Sequence, residues 1–303
     1  MLDDTTVSGW CEGSLGASVS RVWFRSGHLA QVVGAELADG RPVVIKVRPF
    51  EPRLAGCTAV QARLAEAGFP CPRPLAGPSL AGGLAVTAET SIPGGGQRPP
   101  EHGAAPFAAL LARLVASAPA VTSVPSLAPS PPWTGWDHPG ARLWPDHDHE
   151  GRDLNESPGP QWLDRAAGWV RQRMSACHEP PRIGHGDWES QNIRWAGDQV
   201  LAVHDWDSVI AQPEVAVVGL AAAVWAAAGE PGQAATVEQS ADFITCYQAA
   251  SGERWTRRQV QQAWAAGLWV RLFNAKKDAA SGGGPQLDLL AAEITDRLAL
   301  AGA

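Results

Sequence analysis

Short runs of apolar and β-branched residues, separated by turn residues, mark the chain between positions 18 and 47. The sequence Ala38-Asp39-Gly40 lies between two of these runs and is typical of a hairpin turn. Residues 54–67 have helical character that ends at Gly68, and residues 83–89 return to a strand pattern. The pattern therefore predicts an antiparallel sheet with one helix inserted between its strands.

The rest of the chain has mainly helical patterns. They cover residues 105–118 and 161–177 and resume after Pro213, whereas residues 183–209 alternate short strands with turns. Residues 121–160 are rich in Pro, Ser, Gly, Asp and Trp and show no sustained period. A long segment of this kind is usually functional or mobile.

The length of 303 residues exceeds that of one compact core of ordinary size, so two lobes that share a cleft are expected. The glycine-rich stretch at residues 92–96 suits a hinge between them. We therefore predict a bilobal α+β fold. Residues 1–93 would form a small N-terminal lobe, with an antiparallel sheet and one helix, and residues 94–303 a larger, mainly helical C-terminal lobe.

Composition and charge narrow the class of protein. Hydrophobic residues make up 45% of the chain and charged residues 18%, as in folded globular proteins. A net charge of −7 and a pI near 5.6 argue against nucleic-acid and anionic-membrane partners, because both require a basic patch. The longest nearly uncharged apolar stretch, residues 215–229, is too short for the roughly 20 residues of a membrane-spanning helix. We interpret it as a buried core helix.

Cysteine usage indicates a reducing compartment. The five cysteines are odd in number and scattered, and none is in a C-x-x-C spacing. They are Cys11, Cys57, Cys71, Cys177 and Cys246. The first four residues have no basic start that leads into an apolar run. We therefore expect reduced thiols and a cytoplasmic location.

The candidate chemistry is concentrated in the segment His185–Asn192 and the nearby Asp205. Asp187 and Asn192 have the D-x-x-x-x-N spacing of a catalytic loop in phosphoryl transfer, in which one loop supplies a base and a metal-binding amide oxygen. A predicted hairpin at residues 193–203 brings Asp205 back towards Asn192. Two hard oxygen ligands could then share one Mg²⁺ ion.

Lys46 is the second candidate. It lies within the apolar strand 43–47, where a cation costs free energy unless it is paired with an anion. The phosphates of a nucleotide would meet that need. The two other lysines of the chain, Lys276 and Lys277, are expected to be solvated.

Together these residues resemble the aminoglycoside phosphotransferase and choline kinase family, which shares the bilobal protein-kinase-like fold. The resemblance covers about residues 22–228, and its most specific parts are the last two of five motifs. The motifs are Val44-Ile45-Lys46, residues 67–74, residues 91–95, His185-Gly186-Asp187 with Asn192, and residues 204–207.

The resemblance implies a kinase that uses ATP and Mg²⁺. Asp187 would be the catalytic base, Asn192 and Asp205 would bind the metal, and Lys46 would bind the nucleotide phosphates. His185 would be a structural brace of the loop.

The nucleotide-binding residues implied by the resemblance extend beyond Lys46. Glu89, Thr90 and Ser91 would lie at the adenine-binding hinge. Ser26 and Gly27 would form the turn that covers the nucleotide, although an ordinary turn is an equally good interpretation of those two residues.

The chain departs from the family pattern at Cys57 and at the two residues after Asp187. Cys57 stands where the helix usually carries the glutamate that pairs with the strand lysine, and Glu51 or Glu66 could replace it. Trp188 and Glu189 follow Asp187 in place of the usual Leu and His, and we expect them to affect loop packing or acceptor choice more than the reaction.

The acceptor stays open at this point. The family suggests a hydroxylated small molecule: an aminoglycoside or other antibiotic, as in antibiotic resistance, or a metabolite such as choline, homoserine or a sugar. An acidic cluster in the long segment could hold a cationic acceptor or be a solvated loop, and its first part also resembles a metal-binding tract. Its members are Asp146, Asp148, Glu150 and Asp153, with His147 and His149 between them.

Two rivals to a kinase remain. One is a nucleotide-binding pseudokinase, which the absent helix glutamate favours. The other is a metal-dependent hydrolase built from His185, Asp187, His204 and Asp205. The sequence does not distinguish ATP from GTP or fix the oligomeric state.

Overall fold

A five-stranded antiparallel sheet forms the N-terminal part of the protein, in a computed structural model that describes residues 2–27, 30–146, 151–230 and 232–303. The strands lie in the order β1-β2-β3-β5-β4, with one helix before β1 and a second between β3 and β4. The elements are α1 (Asp4–Leu15), β1 (Val19–Ser26), β2 (Gln31–Leu37), β3 (Pro42–Arg48), α2 (Leu54–Glu66), β4 (Pro74–Ala81) and β5 (Leu84–Thr90).

Helix α1 was not predicted from the sequence. Its N-cap residue, Asp3, accepts a hydrogen bond from the Thr6 backbone N–H at 2.7 Å, and the helix ends at Gly16 in the left-handed conformation. The helix packs Val7, Trp10 and Cys11 against one face of the sheet. Because side chains alternate along a strand, Lys46 faces the other way, towards the C-terminal part.

The C-terminal part contains six helices and two short two-stranded ladders among the described residues. In chain order the elements are α3 (Ala105–Ser117), α4 (Gln161–Ser175), β6 (Pro181–His185), β7 (Ile193–Ala196), β8 (Gln199–Val203), β9 (Val209–Pro213), α5 (Glu214–Val224), α6 (Val237–Ser251), α7 (Arg257–Ala280) and α8 (Pro285–Ala301). β6 pairs with β9, and β7 pairs with β8. The predicted α+β class is confirmed.

Helix α5 is the centre of the C-terminal core, as its uniformly apolar sequence predicts, since every residue from Val215 to Val224 is buried. Its Gly219 faces α7 so closely that an added Cβ would lie 1.9 Å from the carbonyl oxygen of Ala263. Gly267 of α7 returns the contact, because its own Cβ would lie 2.6 Å from the Gly219 carbonyl oxygen. The two helices therefore pack backbone against backbone.

A Gly219→Ala substitution should destabilise the protein by roughly 1–3 kcal/mol or more, because the added methyl group forces α5 and α7 apart. Urea unfolding at neutral pH measures the effect. The matched control is Gly13→Ala in α1, where no atom lies within 4 Å of the added Cβ and the helix should gain stability. Equal stability of both variants would contradict this account of the packing.

The prediction that Lys276 is solvated is wrong. Its side chain is 2% exposed, and its ammonium nitrogen lies 3.0 Å from an oxygen of Asp164 on α4. Helix α7 runs through the core against α4, α5 and α8, so most of its circumference is covered. Lys277 is half-buried.

In its described residues, 121–146 and 151–160, the long segment contains two single helical turns, at residues 121–123 and 132–134. Within the acidic cluster, Asp153 forms an ion pair with Arg142. His147, Asp148, His149 and Glu150 lie outside the described residues. In the parts of the chain that the structure describes, no helix is long and apolar enough to cross a bilayer.

Candidate active site

The loop that carries Asp187 begins where β6 ends. The Gly186 backbone N–H donates to the carbonyl of Ser208 at 2.7 Å, which ties the loop to the turn before β9. A Cβ at Gly186 would lie 2.9 Å from the methyl group of Thr134 and 3.1 Å from the Ser208 carbonyl oxygen. Only glycine fits without displacing these neighbours, and the tight turn aims the next residue, Asp187, into the cleft.

His185 braces this loop. Its Nδ1 accepts the backbone N–H of Asp187 at 3.2 Å, and its Nε2 lies 3.0 Å from the carbonyl oxygen of His204, which can only accept. Both contacts are satisfied by the neutral ring with its proton on Nε2. Complete burial agrees with this, because it lowers the pKa of His185 to about 4.

The free energy of unfolding should therefore fall as pH falls through the interval between the two pKa values of His185. The unfolded chain takes up a proton near pH 6.5, and the folded protein only near pH 4. Stability contributed by the neutral ring is complete above pH 6.5, and about 2 kcal/mol of it is lost by pH 5.

Urea unfolding of the wild type and a His185→Gln variant at pH 7 and pH 5 measures this loss. The stability difference between the two proteins should shrink by about 2 kcal/mol at the lower pH. Other titrating groups are common to both proteins and cancel. A difference that does not change with pH would contradict the buried neutral histidine.

Asn192 is bonded directly to Asp187. Its Nδ2 donates to Asp187 Oδ2 at 2.8 Å and to the Asp187 carbonyl at 3.0 Å. The His204 backbone N–H donates to the Asn192 carbonyl at 2.8 Å, so the hairpin returns the chain beside Asn192 as the sequence predicts. Because the amide nitrogen is committed to Asp187, Oδ1 is the atom of Asn192 suited to a cation.

Asp187, Glu189 and Asp205 share a cavity of about 240 Å³, whose walls include Trp133, Val224 and Asn274. Burial and the neighbouring carboxylates of Glu189 and Asp205 raise the pKa of Asp187 well above its usual value. Burial also raises the pKa of Glu189, to about 7. A cavity with three carboxylates favours a cation.

The two residues after Asp187 have different surroundings. Trp188 is fully buried and donates its indole N–H to the carbonyl of Phe107 at 3.2 Å, so it anchors the loop to α3. Glu189 faces the cavity. Trp133 of the long segment donates its indole N–H to the Gly186 carbonyl at 3.0 Å and so supports the loop from the other side.

Asp205 has an uncommon backbone conformation, with φ 65° and ψ 48°, and within the described ranges it is the only non-glycine residue with positive φ. Aspartate tolerates this region better than most residues, at a cost of about 1 kcal/mol. The turn points the carboxylate at the cleft. Burial and the charge of Asp207 raise the pKa of Asp205 to about 7, although Lys46 opposes the shift.

Lys46 connects the sheet to this segment. Its ammonium nitrogen lies 3.7 Å from Glu89 Oε1, 3.7 Å from Asp205 Oδ1 and 3.9 Å from Asp207 Oδ1. Burial alone would lower the pKa of Lys46, but the carboxylates of Glu89, Asp207 and Asp205 outweigh burial and raise it. The lysine is therefore charged and has three carboxyl groups within 4 Å of its nitrogen atom.

The structure also adds residues that sequence reasoning did not identify. Arg48 forms an ion pair with Asp207, which lowers the pKa of that carboxyl group, and Gln61 binds Glu89. Arg48 follows Lys46 by two positions, and Asp207 follows Asp205 by two. Because side chains two positions apart lie on the same face of a strand, the sequence could have identified Arg48 as a neighbour of Lys46.

The remaining predicted nucleotide contacts lie at strand ends. Ser26 ends β1, and both it and Gly27 are exposed. At the end of β5, the Thr90 hydroxyl accepts the Arg73 backbone N–H at 2.8 Å, and the Ser91 N–H points to the Pro42 carbonyl at 3.4 Å. The nucleotide roles of these residues stay predictions.

The hydrolase alternative does not fit this geometry. It requires histidine as a metal ligand, and of its two histidines, His185 and His204, the first has both ring nitrogens in contact with the backbone. Among the described residues, no three or more His, Cys, Asp or Glu side chains are grouped as a metal centre. The predicted ligands Asp205 and Asn192 carry oxygen atoms, the kind of ligand that Mg²⁺ prefers, and their role as metal ligands stays a prediction.

Comparison with known proteins agrees with the resemblance seen in the sequence. The model of the phosphotransferase enzyme family matches residues 22–269. No curated protein sequence matches the chain.

Several solved structures share the fold over nearly the whole chain. A thermostable mutant of the aminoglycoside phosphotransferase APH(4)-Ia, in a ternary complex with ADP and hygromycin B, is 15% identical, with 98% of this chain and 99% of that chain covered and a TM-score of 0.62. The amicoumacin kinase hAmiN, in complex with AMP-PNP, Ca²⁺ and Ami, is 10% identical, with 92% and 87% covered and a TM-score of 0.62. A putative fructosamine-3-kinase from Thermobifida fusca is 18% identical, with 97% and 98% covered and a TM-score of 0.57.

Proposed function

The chain belongs to the phosphotransferase enzyme family, and from that premise we propose that it transfers the γ-phosphate of ATP to a hydroxyl group of a small molecule, with Mg²⁺ as cofactor. In this proposal, residues 1–93 bind the nucleotide and residues 94–303 supply the catalytic residues and the acceptor site. The five free cysteines agree with a reaction in the reducing cytoplasm.

One observation carries the proposal: Lys46 Nζ lies 3.7 Å from Asp205 Oδ1. This contact joins a cation of the N-terminal sheet to a carboxylate of the segment that follows Asp187 and Asn192. Phosphoryl transfer needs this combination, with a cation for the phosphates, oxygen ligands for the metal and a base for the acceptor hydroxyl group.

Each residue then has a distinct role. Asp187, with its raised pKa, accepts the proton of the acceptor hydroxyl group, and Asn192 holds the carboxylate through Oδ2. Asp205 and Asn192 Oδ1 would hold Mg²⁺, which neutralises charge on the phosphates when bound. Lys46 binds the phosphates on the side of the sheet.

For the acceptor we propose a molecule that carries an amine near its reacting hydroxyl group, such as an aminoglycoside, another amine-bearing antibiotic or an amino alcohol. Asp187, Glu189 and Asp205 place three carboxyl groups in the cavity, where a bound ammonium group would favour their ionised forms, and Trp133 adds an aromatic wall that a cation can contact. Neutral sugars could donate hydrogen bonds to these carboxyl groups but would gain no attraction between opposite charges.

An ATP-consumption screen of the purified protein tests the proposal. The panel contains aminoglycosides, other hydroxylated antibiotics, amino alcohols, homoserine and neutral sugars, each with and without Mg²⁺. We expect Mg²⁺-dependent consumption with at least one amine-bearing acceptor. Nucleotide binding without turnover on any acceptor would favour the pseudokinase instead, and turnover limited to neutral sugars would reject the proposed acceptor class.

A further inference from the structure

The partner of Lys46 within the sheet is unexpected. The helix α2 position that usually supplies a glutamate holds Cys57, whose side chain is 3% exposed. The two candidate replacements, Glu51 and Glu66, are both exposed at the surface. Neither is an ion-pair partner of Lys46.

Glu89 of strand β5 takes this place. Its side chain is 9% exposed, and its Oε1 lies 3.7 Å from Lys46 Nζ. In the register of β3 and β5, Val44 lies opposite Glu89 and Lys46 lies opposite Thr87. Lys46 and Glu89 therefore sit on the same face of two directly hydrogen-bonded strands.

Gln61 holds the second oxygen of Glu89. It lies one helical turn after Cys57 on α2, is 5% exposed, and donates its Nε2 to Glu89 Oε2 at 2.8 Å and to the Pro72 carbonyl at 2.8 Å. The helix thus contributes a neutral amide to the site, and the sheet contributes the charge.

The space beside Cys57 agrees with a change in which residue pairs with Lys46, from a glutamate on α2 to Glu89 on β5. A cavity of about 20 Å³, enough for one water molecule, lies between α2 and the sheet, with Lys46, Cys57, Gln61 and Glu89 in its walls. A glutamate at position 57 would point into the same space. The short thiol leaves this space open, and Glu89 reaches the lysine from strand β5.

Glu89 is important because the two other carboxylates near Lys46 have other partners. Asp205 is the proposed metal ligand, and Asp207 is already paired with Arg48. When Asp205 binds a metal ion, Glu89 is the carboxylate that stays available to Lys46, and both residues belong to the same sheet. It can hold the ammonium group in place without any movement of α2.

We propose that Glu89, braced by Gln61, is the residue that positions Lys46 for the nucleotide phosphates, and that it replaces the missing glutamate of α2. The inference rests on the proposed function. It makes Glu89 a positioning residue of the nucleotide site, and it means that the charge that aligns the lysine comes from the sheet, whereas the helix contributes the neutral amide of Gln61.

The affinity for Mg²⁺ with AMP-PNP, a non-hydrolysable ATP analogue, measured by calorimetry, tests this role. Glu89→Gln keeps the shape of the side chain and removes its charge, so affinity should fall about tenfold to a hundredfold. Glu66→Gln, an exposed glutamate at the end of α2, is the matched control and should bind as the wild type does. Gln61→Ala should cause a smaller loss in the same direction.

A second substitution that restores nucleotide affinity would distinguish a role of Glu89 in positioning Lys46 from a general effect on the structure. Adding Cys57→Glu to Glu89→Gln should restore most of the lost affinity, because a carboxylate again reaches the cavity beside Lys46. A double variant as weak as Glu89→Gln alone would overturn the inference. If Glu89→Gln does not fold, as judged by circular dichroism, wild-type affinity in Gln61→Ala would overturn it as well.

The outcome also distinguishes this inference from the proposed function. A wild-type protein that binds no nucleotide rejects the proposed function, and the inference with it. A wild-type protein that binds Mg²⁺ with AMP-PNP, while Glu89→Gln and Glu66→Gln bind equally well, rejects the inference alone.

Discussion

An Asp187→Asn variant is expected to lose phosphoryl transfer by roughly 10²–10⁴-fold while it binds Mg²⁺-ATP as tightly as the wild type. The amide can still accept the hydrogen bond that Asn192 Nδ2 donates to Oδ2, so the loop should keep its shape. It cannot accept a proton from the acceptor hydroxyl group. Initial rates with an acceptor found in the screen, together with AMP-PNP calorimetry, measure the two effects separately.

The control for this variant is Asp198→Asn, in the turn between β7 and β8. The Asp198 side chain is 96% exposed and pairs only with Arg98, also near the surface, so neither rate nor affinity should change. The assignment of Asp187 as base would be wrong if Asp187→Asn abolished nucleotide binding but kept turnover at saturating substrate.

An Asp205→Asn variant should bind Mg²⁺ with AMP-PNP about a hundredfold more weakly than the wild type, or worse. A hundredfold loss corresponds to about 2.8 kcal/mol, which we expect when the charged ligand oxygen of a divalent cation is replaced by a neutral amide oxygen. Asparagine also adopts the left-handed conformation that this position requires, so backbone strain does not confound the result. Calorimetric titrations at several Mg²⁺ concentrations measure the loss.

Omitting Mg²⁺ provides the internal control for Asp205. Without the metal, the variant should bind AMP-PNP at least as well as the wild type, since one carboxylate that repels the phosphates has gone. If the affinity of the wild-type protein proved independent of Mg²⁺, Asp205 would have no role as a metal ligand.

Much of the candidate site could be predicted because its residues are close in sequence. The spacing of Asp187 and Asn192 is fixed by one short loop, and the hairpin after it returns the chain to Asn192. These are local relations, which a pattern of residues can express. The class of fold followed from similar local evidence, namely strands in the first part and long helices in the second.

The features that were missed depend on contacts between distant parts of the chain. Helix α1 has two glycines and little apolar periodicity. It is held in place by packing against the face of the sheet opposite Lys46. Lys276 looks solvated in sequence, but Asp164 reaches it from α4. The pairing of Lys46 with Glu89 depends on the register of β3 and β5, which the sequence does not specify.

The hydrogen bond from Trp133 to the Gly186 carbonyl has a consequence for the evolution of acceptor choice. The same indole forms part of the cavity wall and supports the loop that aims Asp187. Under the proposed function, substitutions that reshape this wall for another acceptor should also disturb the loop, so gains in specificity and losses in turnover should be coupled. Laboratory selection for a new acceptor should therefore accumulate compensating changes around Thr134 and Gly186 before it replaces Trp133.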